Sequence, residues 1–170
     1  MNNLIFIGGI HGAGKGTICN KICKKTNMVH LTASEILKWR EISKIENKDV
    51  ENIQSTQDIL ITGLRNLIKE GEIYLLDGHF CLFNSKGKVE KIPEETFKKI
   101  DPKLIVVVIA DIHEIQRRLK RRDKKTYNLD TLKEMQIMEK EHAKRISLIL
   151  DVPFIAIKDN NYSELIKFTS

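Results

Sequence analysis

An all-apolar run, Leu4-Ile5-Phe6-Ile7, leads straight into Gly8-Gly9-Ile10-His11-Gly12-Ala13-Gly14-Lys15-Gly16-Thr17, and few folds accept that succession. The run has the character of a strand buried on both faces of a parallel sheet. Behind it, Gly9, four residues and then Gly14-Lys15 reproduce the phosphate-loop spacing. Residues without a Cβ let the backbone curl around an anion with several N–H groups pointing inward. Thr17 to Lys25 then puts Ile18, Cys19, Ile22 and Cys23 on one helical face. The free N–H groups and positive dipole end of that helix meet the same anion. Lys15 adds a full charge against the outer phosphates.

Further along, Glu72-Ile73-Tyr74-Leu75-Leu76-Asp77-Gly78-His79 is an apolar strand closed by Asp-Gly. An acidic side chain at the carboxyl end of a strand, beside a phosphate loop, can hold a magnesium-bound water or orient an acceptor hydroxyl. A turn also uses Asp-Gly, and the upstream loop favours the functional reading. The strongest strand is Leu104 to Ala110, β-branched and apolar on both faces. Met28 to Leu31 and Phe154 to Ile157 supply two more, so five strands alternate with helices. The expectation is a three-layer α/β domain, a five-stranded parallel sheet covered by helices, with ligands beyond the strands' carboxyl ends.

The connecting helices read as follows. Ser34 is a candidate cap before Ile36, Leu37 and Trp39; Trp39 suits either packing or stacking on a base. Asp49 to Ser55 reads as a loop, and Thr56 to Glu70 as a helix stopped by Gly71. Gly63 inside that helix costs about 1 kcal/mol against alanine, which a close neighbour would explain. Pro93 opens a short helix that Asp101-Pro102 breaks. Asp111 caps a helix from Ile112 to about Arg122. Asp130 caps a long helix from Leu129 to Leu150, with Leu132, Met135, Met138, Ile146, Ile149 and Leu150 as its apolar stripe. Asn161 to Phe168 closes the chain.

With 170 residues, one domain over 1–170 is expected. The 41% hydrophobic and 31% charged content belongs to a soluble globular chain, and no run is long enough to span a membrane. The first strand starts within three residues, which leaves no room for a signal peptide and makes the cytoplasm the expected compartment. Cys19, Cys23 and Cys81 make no disulfide framework and read as packed reduced thiols. A formal charge of +6 suits an anionic ligand, nucleotide or nucleic acid alike. Seven of the nine residues from Arg117 to Lys125 are basic. By itself that stretch fits a solvated face, a nucleic-acid patch or a lid over phosphates.

Gly12-Ala13-Gly14-Lys15-Gly16-Thr17, with Gly16 between the lysine and Thr17, resembles the loop of adenylate kinases and related nucleoside monophosphate kinases. Proline is usual in those enzymes where His11 stands here. Asp77-Gly78 with His79 two residues after the Asp, Asn84-Ser85-Lys86-Gly87-Lys88 and Ile92-Pro93 are most similar to the archaeal-type adenylate kinases. The resemblance implies a P-loop NTPase fold and ATP with Mg2+ as cofactors. It also implies transfer of the γ-phosphoryl group to AMP or a related nucleotide. Gly12 to Thr17 would hold ATP, with the backbone near Lys158 against adenine. Thr17 and Asp77 would position the metal. Lys15, Asp77, Arg118 and Arg122 would carry catalysis, and Ser34, Lys38, Arg40 and His79 would meet the acceptor. Segment 32–70 would be an acceptor-binding insertion and 121–130 a short lid. The lid thereby gains on the nucleic-acid patch, although Lys124-Lys125 stands where the family has a second basic pair. Other P-loop kinases, acting on a nucleoside, a small metabolite or a polynucleotide 5′-end, share these features. So does a slowly hydrolysing nucleotide-binding regulator. The sequence fixes no oligomeric state.

Overall fold

The computed structural model describes residues 3–43, 53–83 and 88–169; the side chains of 39–43, 53–55 and 83 lie outside that description. In chain order the elements are β1 (Leu4–Gly8), α1 (Lys15–Lys25), β2 (Val29–Thr32), α2 (Ala33–Ser43), α3 (Ile53–Leu67), β3 (Tyr74–Asp77), β4 (Cys81–Phe83) and β5 (Val89–Lys91). There follow α4 (Glu94–Ile100), β6 (Leu104–Ile109), α5 (Ile112–Asp123), α6 (Leu129–Leu150), β7 (Phe154–Lys158) and α7 (Ser163–Thr169).

Five strands form one sheet in the order β2-β3-β1-β6-β7, parallel throughout. This is the expected P-loop NTPase-like α/β architecture. Alternation along β1 shows why it has three layers. Ile5 and Ile7 enter a cluster with Ile18, Cys19 and Ile22 of α1, Ile115 and Leu119 of α5 and Leu165 of α7. Leu4 and Phe6 enter a second cluster on the opposite face with Leu60 and Leu64 of α3 and Phe97 and Ile100 of α4. Successive side chains of a strand point to opposite faces, so a strand apolar at every position needs helices on both. Helix α6 serves both clusters: Leu132 and Met135 from its first half join one, Ala143 and Ile146 from its second half the other. Among the described residues no helix is long and apolar enough to cross a membrane.

Several local expectations are corrected. Ser34 lies inside the first turn of α2, because Ala33 already begins that helix. Helix α3 starts at Ile53 and stops at Leu67, four residues before Gly71 turns at φ 85°. Pro93 caps α4 from outside, and α7 starts at Ser163, two residues after Asn161. Asn128, not Asp130, caps α6, its side chain accepting from the Thr131 N–H; Asp111 caps α5 as expected. The antiparallel pair β4–β5 was not legible in the sequence. Gly63 is explained by packing, since a Cβ there would come within 2.4 Å of Ile36 Cγ2. Residues 44–52 and the loop Asn84-Ser85-Lys86-Gly87 lie outside the described residues.

Candidate functional site

The loop between β1 and α1 has a glycine wherever its path turns left-handed: φ is 84° at Gly12 and 94° at Gly14, conformations that L side chains rarely adopt. Ala13 N–H closes a turn onto Ile10 O at 3.2 Å. Helix α1 opens at Lys15 with no side-chain cap, leaving its first N–H groups directed at the loop. The Lys15 side chain is folded back and only 8% exposed. Its Nζ donates to Gly9 O at 2.7 Å and lies 3.9 Å from Asp77 Oδ1. Burial lowers the pKa of that ammonium, against the nearby Asp77 carboxylate, which raises it. A desolvated cation beside uncapped N–H groups is a receptor for an anion.

Asp77 ends β3 in register with Ile7 of β1 and Thr32 of β2, so three strand ends converge on it. Its Oδ2 lies 3.8 Å from His30 Nε2, and the side chain is 13% exposed. Among the described residues no hydrogen bond reaches the carboxylate. Free lone pairs on a hard oxygen donor fit magnesium or its bound waters. Thr17, exposed on the first turn of α1, offers a hydroxyl of the same class. Gly78 follows because a Cβ there would meet the Phe6 ring at 2.8 Å.

His79 and His11 stand with ring centroids 4.3 Å apart. Burial, then the Lys15 charge and His11, push His79 well below the usual histidine range. Desolvation, then Lys15 and Arg122, lower His11 as well. Both rings are thus biased towards the neutral form. They border a cavity of about 240 Å³ between the strand ends and helices α2, α3 and α4. Phe6, Leu37, Leu60, Leu82, Phe97 and Ile100 make it apolar, and Thr32, Ser34, Gln57, Asp77 and Thr96 add polar points. Ser34 and His79 thus reach this space. Lys38 is exposed on α2 and outside the lining, and the Arg40 side chain lies outside the described residues.

The basic helix meets the loop at one point. Arg118 NH1 donates to Gly12 O at 3.0 Å while its Nε donates to Glu114 Oε1 at 2.9 Å. Arg122 is tied to Asp123 by bonds of 2.5 and 2.9 Å and lines a small cavity with Ile10 and His11. Hydrogen bonds from Arg122 and then Tyr127 hold the Asp123 carboxyl down at about 2. Segment 121–130 comprises the end of α5, a left-handed turn at Lys124, and the start of α6. Gln116 Nε2 fixes its middle by donating to Tyr127 O at 2.6 Å. Lys158 closes β7 and is exposed, its carbonyl accepting from Asn161 N–H at 2.9 Å.

Glu139 is the residue that sequence reasoning missed. It is 1% exposed at the middle of α6. Its Oε1 accepts from Gly9 N–H at 2.9 Å and Phe80 N–H at 2.8 Å, and its Oε2 from Cys81 N–H at 2.7 Å. Burial pushes its carboxyl up, against these three donors and Lys15. One carboxylate therefore ties the start of the phosphate loop to the chain leaving Asp77. The signal was a lone acid on the apolar face, four residues beyond Met135 and four before Ala143.

A family model described as an AAA domain matches residues 8–136, which covers both the loop and Asp77. The chain is 30% identical over 131 residues to human adenylate kinase isoenzyme 5, covering 75% of this chain and 23% of that protein. It is 27% identical over 140 residues to adenylate kinase of Petrotoga mobilis, covering 76% and 64%. To UMP-CMP kinase 1 of Oryza sativa subsp. japonica it is 25% identical over 142 residues, covering 76% and 56%. The chain thus spans less than two thirds of the length of each of these relatives. With the phosphate loop and the strands β2, β3 and β6 inside the matched region, the chain belongs to the AAA domain family.

Proposed function

We propose that this chain is an ATP-dependent phosphotransferase that moves the γ-phosphoryl group of ATP to a nucleoside monophosphate, AMP first among the candidates. One observation carries the reading: Asp77 stands between the buried Lys15 ammonium of the phosphate loop and the apolar cavity on its other side. The similarity to adenylate and UMP-CMP kinases supports a nucleotide acceptor, and the resemblance of Asp77-Gly78-His79 to the archaeal-type adenylate kinases stays within the proposal.

Phosphoryl transfer asks a protein for position and charge neutralisation rather than covalent chemistry. In this reading the N–H groups from Gly12 to Thr17 cradle the donor phosphates. Lys15 leaves Gly9 O for a phosphate oxygen. Thr17 and Asp77 would hold Mg2+, which when bound neutralises charge on the phosphate oxygens. Arg122 would exchange the Asp123 carboxylate for the moving phosphoryl group, since a guanidinium fork donates to either anion in bidentate fashion. Arg118, already on Gly12 O, needs only a rotation. The acceptor occupies the cavity beside Ser34 and His79.

A second reading has its own observation. Among the described residues lining the cavity there is no Lys or Arg, and burial disfavours the charged form of both histidines. An acceptor offering a hydroxyl rather than a phosphate, such as a nucleoside, suits that lining, with Asp77 accepting the hydroxyl hydrogen bond. ATP consumption against a panel of nucleoside monophosphates, nucleosides and 5′-hydroxyl DNA tests both. A diphosphate product from one monophosphate is expected. Turnover with nucleosides alone favours the second reading, and acceptor-independent hydrolysis alone overturns both.

A further inference from the structure

Cys19 of α1, His30 of β2 and Asp77 at the end of β3 each offer one ligand atom, and these atoms all lie within 4.8 Å of one another. His30 Nε2 stands 3.8 Å from Asp77 Oδ2, too far for a hydrogen bond. The same nitrogen is buried with no hydrogen-bond partner, a condition that in native proteins calls for a water or an ion. The two oxygens of Asp77 face different ways, Oδ1 towards Lys15 and Oδ2 towards His30. The oxygen on the His30 side is therefore free of the lysine.

We propose that Cys19, His30 and Asp77 form a binding site for a divalent cation of the zinc class. Thiolate, imidazole and carboxylate together suit a borderline-soft ion, whereas magnesium takes oxygen donors. Such donors around tetrahedral zinc stand roughly 3.3–3.6 Å apart, so inward shifts on the order of 1 Å close the cage. One thiolate and one carboxylate balance the two charges of the ion, and neutral imidazole completes three protein ligands. The fourth position stays open to water. Of the three ligands, Asp77 alone also lines the cavity. Binding breaks the Cys19 S–H bond, forms the metal–sulfur bond and gives the proton to solvent. The site is distinct in chemistry from the magnesium role of Asp77, although both use its carboxylate.

Cobalt(II) titrated into the reduced, metal-free protein tests this directly. One equivalent should produce a thiolate-to-cobalt charge-transfer absorption together with visible bands of tetrahedral intensity, all erased by zinc. Cys19→Ser should abolish the charge-transfer absorption and weaken binding by at least about tenfold, no less than the loss of an outer-shell partner. His30→Gln should weaken binding to a similar degree yet keep the charge-transfer absorption. Cys23→Ser should change neither. No charge-transfer absorption in excess cobalt, or one that survives in Cys19→Ser, overturns the proposal. If Cys19→Ser does not fold, His30→Gln decides: an unchanged cobalt affinity in that variant overturns it equally.

Discussion

Glu139 accepts a hydrogen bond from the backbone N–H of Gly9, 130 positions earlier in the chain. The phosphate loop is therefore anchored from the centre of a distant helix. Glu139→Gln keeps Oε1 for Gly9 and Phe80 but turns an amide NH2 towards Cys81 N–H, donor against donor. The loss of a charged, buried hydrogen bond predicts a destabilisation of about 2–3 kcal/mol in urea unfolding. A loss under about 1 kcal/mol would mean that the anchor is dispensable.

Gly63→Ala should destabilise the protein despite alanine's better helix propensity. The propensity gain is about 1 kcal/mol, but the new methyl would sit 2.4 Å from Ile36 Cγ2, and overpacking of that kind costs about 1–3 kcal/mol. Ile36→Leu moves the branch away from Cβ. Thermal melts of Gly63→Ala with and without Ile36→Leu should show the second substitution recovering part of the loss.

The paired histidines make stability fall on the acid side. His79 and His11 both have folded pKa values below 6.5, their ordinary value. The unfolded chain therefore takes up protons first as pH drops. The stability they confer is present above about pH 6.5 and is lost as pH falls below it. His79→Gln should flatten the dependence of Tm on pH across that window. NMR titration of the His79 ring in the folded protein should show a midpoint well below 6.5, and a midpoint at or above 6.5 would contradict its burial beside Lys15.

Lys15→Ala should remove the response to nucleotide while leaving the fold intact. ATP with magnesium at 100 times its dissociation constant stabilises a binding protein by about 2.7 kcal/mol. That gain should appear as a higher Tm in the parent chain and vanish in the variant. An equal shift in both would sink the phosphate-loop assignment.

Asp77→Asn preserves shape and removes charge. ATP binding without magnesium should survive, while phosphoryl transfer falls by about two orders of magnitude, about 3 kcal/mol of transition-state stabilisation. Rate and Tm measured on the same sample separate the roles. Near-normal turnover would reduce Asp77 to a turn residue.

What the sequence disclosed follows from how locally each feature is encoded. β1, β3 and β6 were legible because a strand buried on both faces is a continuous apolar run. The loop was legible because its positive-φ positions demand glycine at fixed spacing. The β4–β5 pair escaped because three-residue strands such as Cys81–Phe83 carry no period. Glu139 interrupts the apolar face of α6, but its partners are the backbone N–H groups of Gly9, Phe80 and Cys81, which no side-chain pattern names. Cys19 was matched with Cys23 by helical spacing, yet its neighbours in space, His30 and Asp77, come from other strands. Asn128 outcompeted Asp130 as the cap of α6 by lying three residues before the Thr131 N–H it accepts from.

The pairing of β1 has a consequence for how the protein is made. Its edges are completed by Tyr74 to Asp77 on one side and Leu104 to Val107 on the other, and Glu139 arrives later still. A nascent chain emerging from the ribosome releases its phosphate loop about 130 residues before the carboxylate that anchors it. Loop closure over such separations is slow. Until residue 139 has emerged, the Gly9 N–H lacks its carboxylate partner, so the loop takes its final shape only after strands and a helix far downstream have been made.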